Sequence, residues 1–386
     1  MKIAILLEIN HTGGGGPYTH SINTCLDLKK YCGKNNHLLV YTQFKKTFDS
    51  LLRLKIPAKL FSYSFFDKVL LKLSVFKFFR FLTNIFNIKT SIEKLLIENK
   101  NDLLFFPVLS NLVFCLKETK FISTLLDLEH FKHSIFMEIN KKEFEYRENI
   151  YFYSLKKSEL IITSCESIKA KICKHYTIKK NKVFIIPYTP SNFETKKKPN
   201  KKFLDKIKKI KNYFFYPARI FGHKNHSVIL KAVKILNKKN IKVNLIFSGN
   251  DRGYKKILDT YIEKNKINNV LFTGFLSQGE MHHVYKNCKG VIFTTLWGPN
   301  AIPPLETWSY KKPLIYNDRL EDDVLQGTAL IGNIEDPNFV ADSIEKILKN
   351  RYKKSFILNG YNKLQLIKKN SKRCYINLNI KLNSLF

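Results

Sequence analysis

The chain has 386 residues, 44% of them hydrophobic and 25% charged, a composition that allows large buried cores and excludes disorder along the whole chain. Its 67 basic and 31 acidic residues give a net charge of +36, which is typical of proteins that bind nucleic acid, an anionic membrane surface or an anionic substrate, unless it only reflects an AT-rich coding sequence. The seven cysteines include no Cys-x-x-Cys pair, which argues against a disulfide framework or a structural zinc site and favours a reducing cytoplasm.

Neither a signal peptide nor a membrane span is expected. The first apolar run stops at Glu8, which is too short for a secretory signal. No uninterrupted apolar run approaches the roughly 20 residues of a transmembrane helix. At roughly 150 residues per domain, the length predicts two to three domains.

Short apolar runs alternate with segments of helical period along the chain. Most runs are continuously apolar, which is typical of parallel strands that are covered on both faces. This alternation favours doubly wound α/β sheets. The predicted strands form two series, 2–8, 38–42, 103–106, 121–126, 160–163 and 183–187, then 213–216, 243–247, 270–273, 291–294 and 313–316.

A stretch rich in Pro, Asn and Lys separates the two series, and we interpret residues 191–202 as an interdomain linker. The prediction is an N-terminal Rossmann-like domain over residues 1–190 and a second one over residues 203–350. Residues 351–386 have no strand series of their own and are expected to form a helical segment that packs back on the domains.

Four consecutive glycines at positions 13–16 follow the first predicted strand and precede a helix. Glycine lets the backbone approach a ligand closely, and a helix N-terminus offers free N–H groups to an anion. The pattern is neither G-x-G-x-x-G nor a P-loop, so a dinucleotide is only weakly indicated. A flexible turn is the alternative.

Two cations follow the first strand of the second series. Arg219 and Lys224 fall at the carboxyl edge of the predicted sheet, where open α/β sheets bind ligands. Arginine offers a fork to phosphate oxygens and lysine a point charge. The position favours phosphate binding over two solvated cations.

A third motif, residues 298–308, follows the strand at 291–294. Pro303 and Pro304 favour a helix start, which places Glu306 in the first helical turn. Such a carboxylate either binds a ligand or interacts with the helix dipole, which contributes about 0.3–1 kcal/mol.

Taken together, these motifs resemble those of the retaining glycosyltransferases of family 4 (glycosyltransferase group 1). The resemblance covers nearly the whole chain, more specifically in its second half, and implies an α/β GT-B fold of two Rossmann-like doubly wound domains that face each other across a cleft. The markers are Arg219 with Lys224, Ser248-Gly249, Thr273-Gly274, Glu280 with Tyr285, Ile302 to Glu306, Asn317-Asp318 and, in the first half, the glycines, Asp127 to His130 and Glu166.

The resemblance also implies roles. Arg219 and Lys224 bind the donor diphosphate and stabilise the leaving group, and Glu306 binds the ribose hydroxyls. The catalytic set includes Asp127 and His130 as well. The other implied donor-binding residues are Gly14, Gly15, Gly16, Gly249, Gly274, Phe275, Asn300, Ala301, Ile302 and Pro303.

Two positions depart from the family pattern. Gly298 stands where the family often has a glutamate eight residues before Glu306, so Asn300 or backbone groups are expected to replace that contact. Leu126 stands where a histidine often precedes the aspartate of the first-domain loop. His130 and His133 are the nearby substitutes, with a structural role as the alternative for each.

No cofactor or metal is expected, because two cations are available for the phosphate charge. The acidic run 321–323 is interpreted as a solvated turn. Residues 62–86 mix phenylalanines with lysines and Arg80, which predicts either a helix that lies on an anionic membrane or one that buries its Phe side chains against the sheet.

The predicted function is the transfer of a hexose or deoxyhexose, with retention, from a nucleotide sugar to a glycan or lipid-linked acceptor in surface polysaccharide or lipopolysaccharide synthesis. A cytoplasmic location follows, at the cytoplasmic face of the inner membrane. The alternatives are a catalytically impaired nucleotide-binding module and a nucleotide-sugar epimerase. Nucleic acid is not an expected partner, since no recognition signature accompanies the charge.

Overall fold

Two compact units make up the chain. The computed structural model describes residues 1–10, 15–33, 36–131, 140–191, 198–297, 301–318 and 326–385. Unit 1 comprises Met1–Ile135, Ile139–Tyr188 and Lys369–Phe386, and unit 2 contains Thr189–Lys368.

Unit 1 is built on a seven-stranded parallel sheet in the order β3-β2-β1-β4-β5-β6-β7. In the centre of the sheet, Ile5 lies opposite Val40 on one side and Phe105 on the other. The strands are β1 (Lys2–Leu7), β2 (His37–Thr42), β3 (Ala58–Leu60), β4 (Leu103–Phe106), β5 (Phe121–Thr124), β6 (Leu160–Thr163) and β7 (Val183–Ile185). The helices are α1 (Gly15–Tyr31), α2 (Lys45–Arg53), α3 (Phe65–Leu73), α4 (Lys77–Ile85), α5 (Ser91–Glu98), α6 (Lys141–Lys157) and α7 (Glu166–His175).

Unit 2 is built on a six-stranded parallel sheet in the order β10-β9-β8-β11-β12-β13. Its strands are β8 (Tyr213–Pro217), β9 (Asn244–Ser248), β10 (Val270–Gly274), β11 (Gly290–Ile292), β12 (Leu314–Asn317) and β13 (Leu330–Gly332). Its helices are α8 (Lys201–Ile207), α9 (His226–Lys238), α10 (Lys255–Lys264), α11 (Gln278–Asn287), α12 (Ile302–Ser309) and α13 (Pro337–Leu348).

Both sheets reverse their strand order next to their first strand, between β1 and β4 in unit 1 and between β8 and β11 in unit 2. In open α/β sheets, ligands bind outside the carboxyl ends of the strands at such a switch point. The doubly wound α/β architecture predicted from the sequence is confirmed, and it marks one ligand-binding edge in each unit.

The long C-terminal helix α14 (Ser355–Asn383) supplies part of the core of unit 1. Tyr375, Leu378 and Leu382 are buried in the cluster that also contains Ile3 and Val40 from the sheet. Residues from both ends of the chain therefore close one hydrophobic core. Among the described residues, no helix combines the length and the apolar character that crossing a bilayer requires.

Truncation of a buried leucine on α14 tests this contribution. Leu378 is fully buried, so Leu378→Ala is expected to lower the free energy of unfolding by about 2–5 kcal/mol through lost burial and a residual cavity. Leu366 lies on the same helix and is about half exposed, so Leu366→Ala should change that free energy by less than about 0.5 kcal/mol. Urea unfolding followed by circular dichroism compares the two, and equal losses would contradict the assignment.

Candidate functional site

The candidate site of unit 2 lies where the loops after β8 and β11 meet at the switch point. The carbonyl oxygen of Lys224 accepts hydrogen bonds from the hydroxyls of Tyr216 (2.7 Å) and Thr294 (3.1 Å). The backbone N–H of Leu296 donates to the carbonyl of His223 at 2.9 Å. These bonds join the two loops and fix the backbone from which the Lys224 side chain extends.

The ammonium group of Lys224 is held over the carboxyl ends of β11 and β12. Its Nζ donates to Oγ1 of Thr295 at 3.2 Å and lies 5.9 Å from the centre of the Phe293 ring. The side-chain amide of Asn317, the last residue of β12, donates to the carbonyl of Thr295 at 3.1 Å. The cation is thus placed by two strand ends rather than by a mobile loop.

Arg219 follows β8 on a backbone that pairs with the loop after β9. The N–H of Ile220 donates to Asn250 (3.1 Å), and the N–H of Arg252 donates back to Ile220 (3.2 Å). Burial lowers the pKa of the Arg219 guanidinium, and the neighbouring charge of Arg252 lowers it further. A partly buried cation beside a second cation favours an anionic ligand, because the ligand's charge relieves both penalties.

Gly249 permits the close packing of these two loops. Its φ of +131° lies in a region that L-residues rarely adopt, and its N–H donates to the carbonyl of Gly274 at 2.8 Å. A Cβ atom at this position would approach the backbone carbonyl oxygen of Ala218 to 2.5 Å. Only glycine therefore lets the loop after β9 lie against the residue that precedes Arg219.

Glu306 is buried in the second turn of α12 and not in its first, so the predicted first-turn position is wrong. Helix α12 begins at Ile302, with Ala301 as an extended N-cap residue whose side chain makes no capping bond. The helix dipole acts mainly on the terminal turn, which removes the dipole interpretation for this carboxylate. The side chain is only 4% exposed, and its burial needs another explanation.

Two hydroxyl groups hold the Glu306 carboxylate. Tyr285 donates to Oε2 at 2.6 Å, and Ser191 donates to Oε1. Burial raises the pKa of Glu306, and the bonds from Ser191 and Tyr285 oppose that rise. The Tyr285 ring in turn stacks on Tyr310, with ring centres 5.2 Å apart and planes 1° from parallel. The carboxylate is thus oriented by a rigid aromatic support.

The remaining predicted donor-binding residues that the structure describes in unit 2 lie on the same edge of the sheet. Gly274 ends β10 with a φ of +70°, and Phe275 after it is 42% exposed. Ile302 and Pro303 form the first turn of α12. Asn300 and Gly298 lie outside the described residues, as does the acidic run 321–323.

In unit 1, His130 is fully buried and bonded to a carboxylate. Its Nε2 lies 2.7 Å from Oε1 of Glu148, which also accepts from the hydroxyl of Tyr176 at 2.6 Å. Burial lowers the pKa of His130, although Glu148 opposes that shift. This placement favours the structural alternative for His130, and its catalytic role stays a prediction. His133 lies outside the described residues.

Asp127 follows β5 and is partly exposed. Its Oδ1 accepts from the N–H of Glu129 at 3.2 Å and lies 3.8 Å from Arg147. Gly15 and Gly16 open helix α1, where a Cβ on Gly16 would meet no atom within 4 Å. Gly14 lies outside the described residues.

Sequence reasoning missed several polar residues at these edges. Glu8 follows β1 and accepts from the hydroxyl of Tyr63 at 2.6 Å, and burial raises its pKa despite bonds from Ser110 and Tyr63. Ser191 and Thr295 contact Glu306 and Lys224. The available signal was a polar residue that ends an apolar run, which applies to Glu8 and Thr295 but not to Ser191.

Comparison with known proteins gives one family model and several structures of similar fold. Residues 197–363 match the model of the family described as glycosyl transferases group 1. No curated protein matches the chain. Among solved structures, the chain is similar to HepE of Anabaena in complex with UDP-glucose, with 14% identity, a TM-score of 0.71 and full coverage of both chains.

Two further structures extend this likeness. Sucrose-phosphate synthase from Thermosynechococcus elongatus matches with 11% identity, a TM-score of 0.69 and full coverage of both chains. WaaG, a glycosyltransferase involved in lipopolysaccharide biosynthesis, matches with 13% identity and a TM-score of 0.65 over 96% of this chain and 98% of the other. The predicted GT-B fold with two Rossmann-like units is confirmed.

The glycine at position 249 gives a stability test. Gly249→Ala is expected to lower the free energy of unfolding by about 3 kcal/mol or more, because the new Cβ adds a backbone clash to roughly 1–3 kcal/mol of φ strain. Gly253 has a φ of +92° with open space around its would-be Cβ, so Gly253→Ala should show the φ strain alone. Chemical denaturation measures both, and indistinguishable losses would show that no close approach is needed.

The buried carboxylate gives a pH test. Because the pKa of Glu306 is raised on folding, its proton is bound more tightly in the folded state, so its stabilising contribution is present below the unfolded value of 4.5 and is lost as the pH rises through the folded pKa. Glu306→Gln removes that dependence, so its stability relative to the wild type should increase as the pH rises from 4.5 to the folded pKa of Glu306 and stay constant above it. The exposed Glu263→Gln is the control and should follow the wild-type curve.

Proposed function

We propose that the protein is a retaining glycosyltransferase that transfers a hexose or deoxyhexose from a nucleotide diphosphate sugar to a glycan or lipid-linked acceptor. The observation that carries the proposal is the convergence of Arg219, Lys224 and Glu306 on the carboxyl edge of one parallel sheet, at its switch point. The match of residues 197–363 to the group 1 family model supports it.

Arg219 and Lys224 act on the leaving group in this proposal. Negative charge grows on the diphosphate as the glycosidic bond breaks, so cations fixed in advance stabilise the transition state more than the ground state. Each charge-assisted contact contributes about 1.5–3 kcal/mol, which is about ten- to a hundredfold in rate if it is made only in the transition state. The two cations supply this charge without a metal ion.

Glu306 binds the ribose of the donor. An ionised carboxylate has about four acceptor positions, and the hydroxyls of Tyr285 and Ser191 together with the backbone N–H of Ser191 use three of them. The remaining position accepts a ribose hydroxyl, and that bond favours the ionised form of a carboxyl that burial alone disfavours. Because HepE is described in complex with UDP-glucose, a UDP-sugar is the first donor to test.

The acceptor is a growing surface glycan, such as a lipopolysaccharide or capsule chain, at the cytoplasmic face of the inner membrane. The likeness to WaaG supports this setting. Retention is implied by the resemblance to the retaining glycosyltransferases of family 4. The leaving phosphate, held by Arg219 and Lys224, takes the acceptor proton on the face from which it departs.

The alternative is a nucleotide-binding module without turnover. One described feature favours it, because Leu126 stands where the family often has a loop histidine, and the nearby His130 is buried and bonded to Glu148. The two functions differ in a measurable way, since both bind a nucleotide but only one releases nucleoside diphosphate.

Single substitutions of the two cations test the enzymatic proposal. Arg219→Ala and Lys224→Ala are each expected to lower nucleoside diphosphate release by about ten- to a hundredfold, because each removes a contact to the leaving diphosphate. Lys231→Ala, an exposed lysine on α9, is the matched control and should keep full activity. The assay supplies UDP-, GDP- and dTDP-sugars with a membrane glycolipid extract.

The outcomes separate the candidates. Loss of release in both variants with retention in the control supports the proposal. Tight nucleotide binding by the wild type without release on any acceptor establishes the binding module instead. A sugar isomer formed without acceptor would indicate an epimerase.

A further inference from the structure

Helices α3 and α4 expose an unusual amount of apolar surface. In the described part of the chain, nine of the twenty exposed large apolar side chains fall within residues 65–86, so the exposure is concentrated rather than scattered. We call this the aromatic surface. It consists of Phe65, Phe66, Val69, Phe76, Phe78, Phe79, Phe81, Ile85 and Phe86.

Helix α4 buries polar residues and exposes an apolar face. Its buried residues are Arg80 and Thr83, whereas Phe78, Phe81 and Ile85, three and four positions apart, form one outward stripe with exposures of 66%, 60% and 59%. A helix of a water-facing surface would turn that stripe inward, since burial of apolar area stabilises by about 25 cal/mol per Å². The alternative that these phenylalanines pack against the sheet is wrong.

The buried guanidinium of Arg80 fixes this orientation. Its Nη1 donates to the carbonyls of Ser74 and Val75, both at 2.8 Å, and its Nη2 donates to Oδ1 of Asn149 at 3.2 Å. The guanidinium carbon also lies 4.5 Å from the centre of the Phe114 ring. Arg80, which the sequence placed among the lipid-facing cations, is thus 7% exposed and anchors the helix instead.

Within residues 62–89, the exposed charges have one sign. Lys68, Lys72 and Lys77 are exposed, and no described carboxylate forms an ion pair with any of them. The single acidic residue between positions 62 and 89 is Asp67, which is buried and accepts bonds from Ser64 and Ser91. Lysine side chains can lay their alkyl stems on an apolar surface while the ammonium groups reach anions above it.

We propose that the aromatic surface binds the face of an anionic lipid bilayer, with the phenylalanines of α3 and α4 inserted at the headgroup boundary and Lys68, Lys72 and Lys77 on the lipid phosphates. The three lysines argue against a second copy of the chain as the partner, because a two-fold interface would bring like charges together. The inference deepens the proposed function. It rests on that function in one respect, namely that membrane binding brings unit 1 to lipid-linked acceptors.

Vesicle flotation of the full chain tests the apolar contribution. The wild type should bind vesicles of phosphatidylcholine and phosphatidylglycerol in a ratio of about 2:1, and bind phosphatidylcholine alone far less. The triple variant Phe78→Ser, Phe81→Ser, Ile85→Ser should lose at least about tenfold in partitioning, because the inserted area is removed. The control variant carries Phe152→Ser, Ile257→Ser and Leu358→Ser, which change three side chains of similar exposure elsewhere in the chain. It should bind vesicles as the wild type does.

A second pair of variants tests the charges. Reversal of Lys68, Lys72 and Lys77 to Glu should weaken binding by about a hundredfold or more, since each basic residue near an anionic bilayer contributes about fivefold. The matched control carries Lys368→Glu, Lys369→Glu and Lys372→Glu, three exposed lysines of α14. It lowers the net charge of +36 by the same amount as the test variant. It should lose less than about threefold, because α14 and α3 pack on opposite faces of the unit 1 sheet and charges beyond the Debye length are screened.

Three results would overturn the inference. They are no binding of the wild type to anionic vesicles, equal losses in the test and control variants, and self-association in solution that the triple Ser variant abolishes. Thermal stabilisation by UDP, GDP and dTDP, read on the same samples, separates this inference from the proposed function. A protein that binds one of these nucleotides and no vesicles contradicts only the membrane surface, and one that binds vesicles and no donor nucleotide contradicts only the transferase.

Discussion

The hydroxyls of Tyr216 and Thr294 donate to one backbone oxygen, the carbonyl of Lys224, and so tie the end of β8 to the loop after β11. Both strands are central in the sheet of unit 2, and their order reverses between them. Because the lysine backbone is fixed at that point, its ammonium group reaches Thr295 without the entropic cost of ordering a loop. The close approach at Gly249 positions Arg219 by a second, independent constraint. The geometry for an anion is therefore set by strand ends and backbone packing before any ligand arrives.

Glu306 of unit 2 and Glu148 of unit 1 differ in how their hydrogen-bonding capacity is satisfied. In unit 2, Glu306 is buried and held by Tyr285 and Ser191, which leaves acceptor capacity for a polar ligand. In unit 1, Glu148 accepts from Tyr176 and lies within bonding distance of both His130 and His175. That arrangement satisfies the carboxylate internally and leaves less capacity for a substrate. The contrast explains why the donor half of the function is better supported than the catalytic role of the loop histidine.

Much of the fold was predictable because buried parallel strands have continuously apolar sequences. Every predicted strand exists within a few residues of its expected bounds, whereas β3 and β13 were missed, since three-residue edge strands carry too few apolar positions to produce a pattern. In the site, Arg219 and Lys224 were predictable from their distance after a strand, but the turn that carries Glu306 was not, because α12 begins at Ile302 rather than earlier. Which face of α4 is buried was not predictable either. Periodicity places Phe78 and Arg80 on different faces, and only the partners of the guanidinium decide which face is inside.

The shared core of unit 1 has a consequence for the order in which the protein folds during synthesis. Strand β1 and its neighbours emerge from the ribosome first, yet Tyr375, Leu378 and Leu382, which close their core, are made after all of unit 2. Domains usually fold as units while the chain is still being translated. Here unit 2 can complete its own core first, while one face of the unit 1 sheet stays uncovered and the phenylalanines of α3 and α4 are exposed on the other side. The nascent chain therefore has its greatest need of chaperone protection at its beginning, until its last helix has been made.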